Sequence, residues 1–434
     1  MLGVTRRREG SERAQALRVP DFRRMFAALV TSSAGDWLEY TALIGLFVYQ
    51  GRTGAIALAG LALVRALPAF FGPIAGVWAD RLPDKSVLVA CDIARAIVVV
   101  GMVQARDTYL LLMLVALEEL FSIWFGPSRQ IAIRRVVPDD LLYSATALTR
   151  IGTQVTRIAA PAVGAFLVGS IGVRNTLWLD ALSFVVSALF LSRLTTPDRS
   201  VTKLPREERK NLLREVGEGL QFVFGHRLLR AAVLGATAIM FALFLEDAFL
   251  GLLVTHDGMP YTVFGWVMGG ISIGNIIGAT GMMKWGKRLN PLAGMSAGAM
   301  FTGLLTVLVA GYHVSIGFDF GEVIWALIWG GIGASMAGFQ IPYRYLLQHE
   351  PPAELVGRVS GTTNTLVTFA MAIAPLIGAE LLNWLGITPL FIIAGGALAL
   401  VGLSLSLAGL RGGHALLTAN ETTPPDYGQV RETK

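Results

Sequence analysis

Twelve stretches of this 434-residue chain are long and apolar enough to cross a membrane, and no other feature constrains the fold so tightly. A helix advances ~1.5 Å per residue, so about 20 residues cross the ~30 Å hydrocarbon core. Runs of that kind fall at 22–50, 54–79, 86–105, 108–126, 143–169 and 174–193, then at 229–253, 261–283, 291–311, 322–346, 358–384 and 388–410. Hydrocarbon offers no partner to a backbone amide, so each span must be a helix or belong to a closed barrel. Barrel strands would read as short segments of alternating hydrophobicity, unlike these continuous runs. The expected class is an all-α membrane protein with twelve transmembrane helices.

Charge sets the orientation. Of 36 Lys and Arg residues, 29 lie in segments or span ends on the side of the N-terminus, and only Arg52, Arg106 and Arg174 lie in loops or at span ends on the other side. Arg65, Arg95, Arg150 and Arg157 sit inside spans, away from their ends. The positive-inside rule then places both termini in the cytoplasm of a multi-pass protein, expected in the inner membrane of a bacterial cell. A net charge of +6 would suggest nucleic acid in a soluble protein, but its one-sidedness accounts for it here. The first apolar run has no small-residue cleavage site after it and is expected to stay. A single cysteine, Cys91, excludes an internal disulfide framework.

The chain divides in two around one long polar insert. The expected organisation is a tail (1–21), a six-helix bundle (22–193), a linker (194–228), a second six-helix bundle (229–410) and a C-terminal tail (411–434). Within the linker, "PREERKNLLREVGEGLQFVF" reads as an amphipathic helix starting at Pro205, with Leu212, Leu213, Val216 and Leu220 on one side. It is expected to lie on the membrane surface or pack under the bundle.

The halves repeat. "AAPAVGAFLVGSIG" (159–172) aligns without gaps to "IAPLIGAELLNWLG" (373–386) at an offset of 214 residues, with six of fourteen positions identical. Pro161 matches Pro375 and Gly164 matches Gly378. Both segments run outward, so the repeat is parallel: two bundles related by a pseudo-two-fold axis along the membrane normal, with a substrate site between them. Gly270, Gly274 and Gly278 recur every four residues in span eight, a spacing that lets backbones approach. Packing between the halves is the functional expectation for that stripe.

After span two comes "GVWADRLPDK" (76–85). It resembles the loop signature of the major facilitator superfamily, Gly-x3-Asp-Arg/Lys-x-Gly-x-Arg/Lys, through Gly76, Asp80, Arg81 and Lys85, with Pro83 in place of the second glycine. "MMKWGKR" is a degenerate copy in the other half, matching at Lys284, Gly286 and Arg288. Further segments, "DIAR" (92–95), "FGPSRQ" (125–130), "EGLQFVFGHRLLR" (218–230) and "GRVSG" (357–361), are similar to the drug:proton antiporter branch of macrolide efflux proteins and the enterobactin exporter. In exporters of the superfamily span five ends in Gly-Pro-x-x-Gly-Gly, and here Ala160-Pro161 and Gly164-Ala165 stand in that place. The resemblance implies that Asp80 faces the cytoplasmic end of span eleven near Arg358, holding the inner side shut.

Nine acids fall inside the spans: Asp36, Glu39, Asp92, Glu118, Glu119, Asp180, Glu246, Asp247 and Glu380. Thirteen unpaired lipid-facing charges, at roughly 2.5–3.5 kcal/mol each, would cost on the order of 40 kcal/mol. They must pair, line a wet cavity or be protonated. Asp92 and Arg95, at i and i+3 on one helix, are expected to form a structural ion pair. Asp180 is expected to bond a neighbour, and Glu380 to reach water at its helix end. The deep candidates are Asp36 with Glu39 in span one, Glu118 and Glu119 in span four, and the stripe Arg150, Gln154 and Arg157 in span five. Glu246 and Asp247 in span seven are the expected counterparts in the other half. Only one of Glu118 and Glu119 should face a cavity squarely, and Arg157 is the expected partner of Asp36 if that acid is structural.

All five histidines (His226, His256, His313, His349 and His414) fall in loops or tails, which argues against a histidine relay or a buried histidine metal site. No GxxxxGK[ST] loop is present, so ATP is not expected to drive the chain directly. The expectation is a monomeric transporter and not an enzyme, without metal or cofactor, whose partners are a small-molecule substrate, protons and the lipid bilayer but no nucleic acid. The leading function is a secondary-active exporter moving an amphipathic small molecule in exchange for protons. The alternatives are a facilitator or flippase for a lipid-like or zwitterionic molecule without proton coupling, and a sensor that has lost transport.

Overall fold

A computed structural model of the chain describes residues 15–48, 54–66, 83–195, 212–286, 290–315, 322–352 and 355–420. The first half supplies α1 (Pro20–Val48), α2 (Gly54–Ala66), α3 (Asp84–Gln104), α4 (Thr108–Val136), α5 (Leu142–Ile171) and α6 (Val173–Ser192). The linker contributes α7 (Leu212–Gly225). The second half supplies α8 (Arg227–Asp247), α9 (Leu250–His256), α10 (Thr262–Trp285), α11 (Pro291–Ser315), α12 (Glu322–His349), α13 (Val356–Leu385) and α14 (Ile387–Asn420). Ten of these helices are long and apolar enough to cross a membrane. The 29-residue α1, which carries Asp36 and Glu39, and the described part of span two bring the arrangement close to the twelve spans expected.

Two boundaries differ from the sequence reading. Helix α4 continues ten residues beyond the apolar run, to Val136, with Arg134 and Arg135 in its last turn. Those cations face the negative end of the helix dipole, which favours the extension. Span seven is broken after Asp247. The Phe249 amide donates to the Glu246 carbonyl at 2.8 Å, a tight i to i−3 turn, and α9 then packs against α1.

The same packing plan recurs in each half. Helix α1 packs on α5 and α6, while α3 packs on α4 and α6. Six spans later, α8 packs on α13 and α14, while α11 packs on α12 and α14. The repeated glycines occupy matching places: Gly164 of α5 lies against Thr41 of α1, and Gly378 of α13 against Leu245 and Phe249 of span seven. Pro161 and Pro375 both sit inside their helices, each removing one backbone donor at a matching level.

The stripe of Gly270, Gly274 and Gly278 does not join the halves. Side chains there would run into the backbone carbonyls of Ala326, Gly330 and Ala334 on α12, in the same half. Its small residues let α10 and α12 touch at their backbones, as the spacing demands. Contact across the halves comes from another face of α10, where Gly265 meets Ala162 and Ala165 of α5.

Apolar packing is shared at one end of the molecule and separate at the other. One buried cluster contains Leu43, Phe47 and Val168 of the first half together with Leu253, Tyr261 and Phe264 of the second. Toward the opposite end, Phe22, Leu88 and Leu191 belong to a cluster built from the first half alone. Leu229, Met295 and Leu346 belong to one built from the second half. The halves are therefore sealed together around Val48 and Tyr261. Helix α7 belongs to the second half: Gly219 approaches Thr362 and the Arg358 carbonyl of α13, and Val223 is buried. Pro205 lies outside the described residues.

Candidate functional site

Two guanidiniums organise the charged interior of the first half. Arg95 of α3 bridges two helices: its Nη2 pairs with Asp36 Oδ1 on α1, and its Nε donates to Glu118 Oε1 on α4 at 2.7 Å. Arg65 of α2 repeats the pattern, with Nη2 donating to Glu39 Oε1 at 3.0 Å and Nε lying 3.9 Å from Glu119 Oε1. Each arginine is thus held between one acid of span one and one of span four. The spacing explains the doubling. Asp36 and Glu39, three apart, share a face of α1, while the adjacent Glu118 and Glu119 diverge and serve different arginines.

Aromatic faces complete each clamp. The Arg95 guanidinium lies 4.0 Å from the Phe184 ring centroid, and that of Arg65 lies 4.8 Å from the ring of Tyr40. Such rings attract a cation through their negative faces while excluding water. Exposure separates the four acids: 35% of the Asp36 side chain is accessible, against 14% for Glu119, 2% for Glu118 and none for Glu39. Asp36 is therefore the most accessible member of the cluster. Both span-four glutamates are engaged, rather than one facing a cavity and one turned away.

Two more buried acids lie beside the clamps without a cation at ion-pair distance among the described residues. Asp92 does not pair with Arg95 as expected, because that guanidinium turns to Asp36 and Glu118. Instead Ser187 donates to Asp92 Oδ2 at 2.5 Å, and Oδ1 has no hydrogen-bond partner. Asp180 bonds a neighbour as expected, accepting from Ser183 at 3.4 Å. Gly35 of α1 leaves room for both, since a side chain there would strike Ser183 and Asp180. Acids outnumber arginines in this interior.

The span-five stripe sits apart from the clamps. Arg150, Gln154 and Arg157 are all exposed, and Asp36 pairs with Arg95 rather than with Arg157. Arg157 lies over the Trp37 ring at 5.9 Å and within electrostatic reach of Asp247 of the second half. Ser33 and Thr156 share a hydrogen bond at 2.8 Å that fixes α1 against α5 at this level. The span-seven acids split. Asp247 is exposed, whereas Glu246 is buried and accepts from Thr306 of α11 at 3.4 Å, so it faces the packing of the second half. Glu380 is exposed, as its place near a helix end suggests.

Of the loop signature, Gly76, Asp80 and Arg81 lie outside the described residues. Lys85 donates to the Leu194 carbonyl at 2.8 Å, tying the start of α3 to the end of α6. The Arg358 backbone supports α7. Sequence reasoning passed over Arg65 as a site residue, although its place within an apolar run is a signal that buried acids must lie near it. Among the described residues no group of three or more His, Cys, Asp or Glu side chains is arranged to hold a metal ion.

Comparison with known proteins places these features in context. Residues 25–375 match the family model described as Major Facilitator Superfamily. The chain is 26% identical over 394 residues to the MFS-type transporter YfiS of Bacillus subtilis, covering 87% of this chain and 91% of that one. It is 25% identical over 409 residues to the multidrug efflux pump Tap of Mycobacterium tuberculosis, covering 91% and 93%. Macrolide efflux protein A of Streptococcus pyogenes is 23% identical over 366 residues, covering 81% and 87%. In fold the chain is similar to the nucleoside transporter NupG, with a TM-score of 0.72 at 14% identity, covering 89% of this chain and 98% of that one.

Proposed function

The chain belongs to the Major Facilitator Superfamily and is a multi-pass membrane transporter rather than an enzyme, and from that premise we propose that it exports an amphipathic small molecule in exchange for protons. The observation that carries the reading is the double clamp, in which Asp36 and Glu39 of α1 reach two arginines shared with Glu118 and Glu119 of α4. Buried acids in excess of bases exchange protons more readily than they stay ionised, because desolvation and like charge both disfavour the anion. Asp36, the accessible member, takes up and releases the proton. The similarity to a multidrug pump and a macrolide efflux protein supports export of an amphipathic substrate.

Alternating access follows from the packing. With the termini in the cytoplasm, the shared cluster around Tyr261 closes the outer end, and the separate clusters leave the inner end free to part. The resting form is then open to the inside. The substrate path runs between α1, α5 and span seven, where Arg157 and Asp247 come from different halves.

The test uses the full-length protein in liposomes with ethidium and erythromycin as probes. Accumulation driven by an imposed pH gradient is expected, and Asp36→Asn is expected to abolish it while leaving probe binding in place. Uptake that persists after the gradient is collapsed, or normal transport by Asp36→Asn, rules out proton coupling through Asp36. A second reading, a flippase for a lipid-like molecule, draws support from an apolar groove of about 730 Å³ between α5, α10 and α12, lined by Phe166, Trp266 and Leu327. Gradient-independent movement of a fluorescent phospholipid between leaflets would favour it.

A further inference from the structure

Asp92 is fully buried, yet one of its carboxylate oxygens is bare. Ser187 occupies Oδ2, and Oδ1 has no partner. Arg95 stands one turn along the same helix, at i+3, where side chains lie on a common face. It nevertheless reaches away, to Asp36 and Glu118. A guanidinium in this position has two possible sets of anions, and the structure shows one of them in use and the other incomplete.

We propose that Arg95 is a two-position cation and Asp92 its alternate anchor: when Asp36 and Glu118 take up protons, the guanidinium turns to the bare oxygen of Asp92. The inference rests on the reading that the clamp acids are protonated during transport, and deepens it. A buried guanidinium left without an anion is strongly disfavoured, so a clamp that lost both charges would hold its protons poorly. A second anion on the same helix removes that obstacle. Each protonation adds one proton from water to one carboxylate. Arg95 keeps its own proton throughout, and only hydrogen bonds and ion pairs are exchanged. The surroundings of Asp92 bear on the swap. Its own helix supplies Cys91 and Arg95, α6 supplies Ser187, α4 supplies Glu118 and Arg129, and α1 supplies Asp36. Arg129 is the one competing cation among them; it lies 5.9 Å from the Phe125 ring, and its Nε has no hydrogen-bond partner.

The consequence is mechanical. Arg95 is a direct ion-pair link from α3 to α1, and turning to Asp92 releases it. Protonation thereby breaks the Arg95 link between span one and spans three and four, and deprotonation restores it.

Cys91, the chain's single cysteine, is buried one residue from Asp92 and provides a native probe. Infrared difference spectra of the full-length protein in liposomes, recorded on stepping from neutral to acidic pH, report carboxylic-acid bands and the Cys91 S–H band together. In the wild type both are expected to change. Asp36→Asn is expected to show part of the acidic S–H shift already at neutral pH. Asp92→Asn is expected to lose the S–H shift, while Ser187→Ala, which keeps the carboxylate, retains it. An S–H shift that survives in Asp92→Asn, with its fold confirmed by thermal unfolding, reflects direct sensing of the clamp charge and overturns the proposal. Carboxyl bands that titrate while the wild-type S–H band stays fixed overturn it and leave proton coupling intact. Absence of any titrating carboxyl band overturns both.

Discussion

The hydroxyl of Tyr261 donates to the backbone carbonyl of Thr41 at 2.8 Å, joining the second half of the transporter to the first at the sealed end. The ring also fills the space above Gly45, and both groups are buried. Removing the hydroxyl as Tyr261→Phe should cost about 0.5–1.5 kcal/mol of the closed seam, a population shift of roughly two- to tenfold. Spin labels at Tyr109→Cys and Trp384→Cys, two exposed sites at this end, would report it in a Cys91→Ser background. An increase in the long-distance population is the expected result, and an unchanged distribution would show that the bond does not bias the halves.

Gly274 faces the Gly330 carbonyl so closely that any side chain must push the helices apart. Gly274→Val is expected to destabilise the protein by about 1–3 kcal/mol through overpacking. Gly269→Val, on the same helix but with open space at its Cβ, is the control. Thermal unfolding in detergent should separate the two variants, and equal melting temperatures would contradict the packing described.

Glu39 has no accessible side-chain surface and depends on Arg65 for its charge. Arg65→Met should therefore cost about 3–5 kcal/mol, because it leaves a buried carboxylate unpaired. Combining it with Glu39→Gln should recover most of that loss. A double-mutant cycle measured by denaturant unfolding checks this, and additive effects would mean the two side chains do not interact.

Asp180 accepts only a long hydrogen bond and has no cation at ion-pair distance among the described residues. Asn keeps the shape and the acceptor, so Asp180→Asn should change stability by less than about 1 kcal/mol. A large loss of expression or melting temperature would indicate that the negative charge itself is needed.

The broad plan was legible in the sequence because hydrocarbon leaves so few options. Run length dictated helices, and the repeat at Pro161 and Pro375 foretold a packing plan that recurs six spans later. Pairing was less legible. Asp92 and Arg95 look like partners along one helix, but Arg95 is long enough to reach acids on two others, and a linear sequence does not reveal which helices come near. Arg65 was passed over for the same reason, since its partners are 26 and 54 positions away. Glycine spacing announced a close helix contact in span eight without saying which helix would fill it. The adjacent acids Glu246 and Asp247 could not be sorted before the break in span seven turned one inward and left the other exposed.

The sealed end also bears on speed. Under the proposed alternating access, the groups that stick there, from Phe47 and Leu253 to the Tyr261 bond, come apart once in every turnover. A stronger seam would give a sturdier molecule and a slower transporter, so stabilising substitutions at this end should act as brakes. Gly45 and Gly251, where added carbon would touch Tyr261, Ile44 and Val48, keep the grip light enough to release.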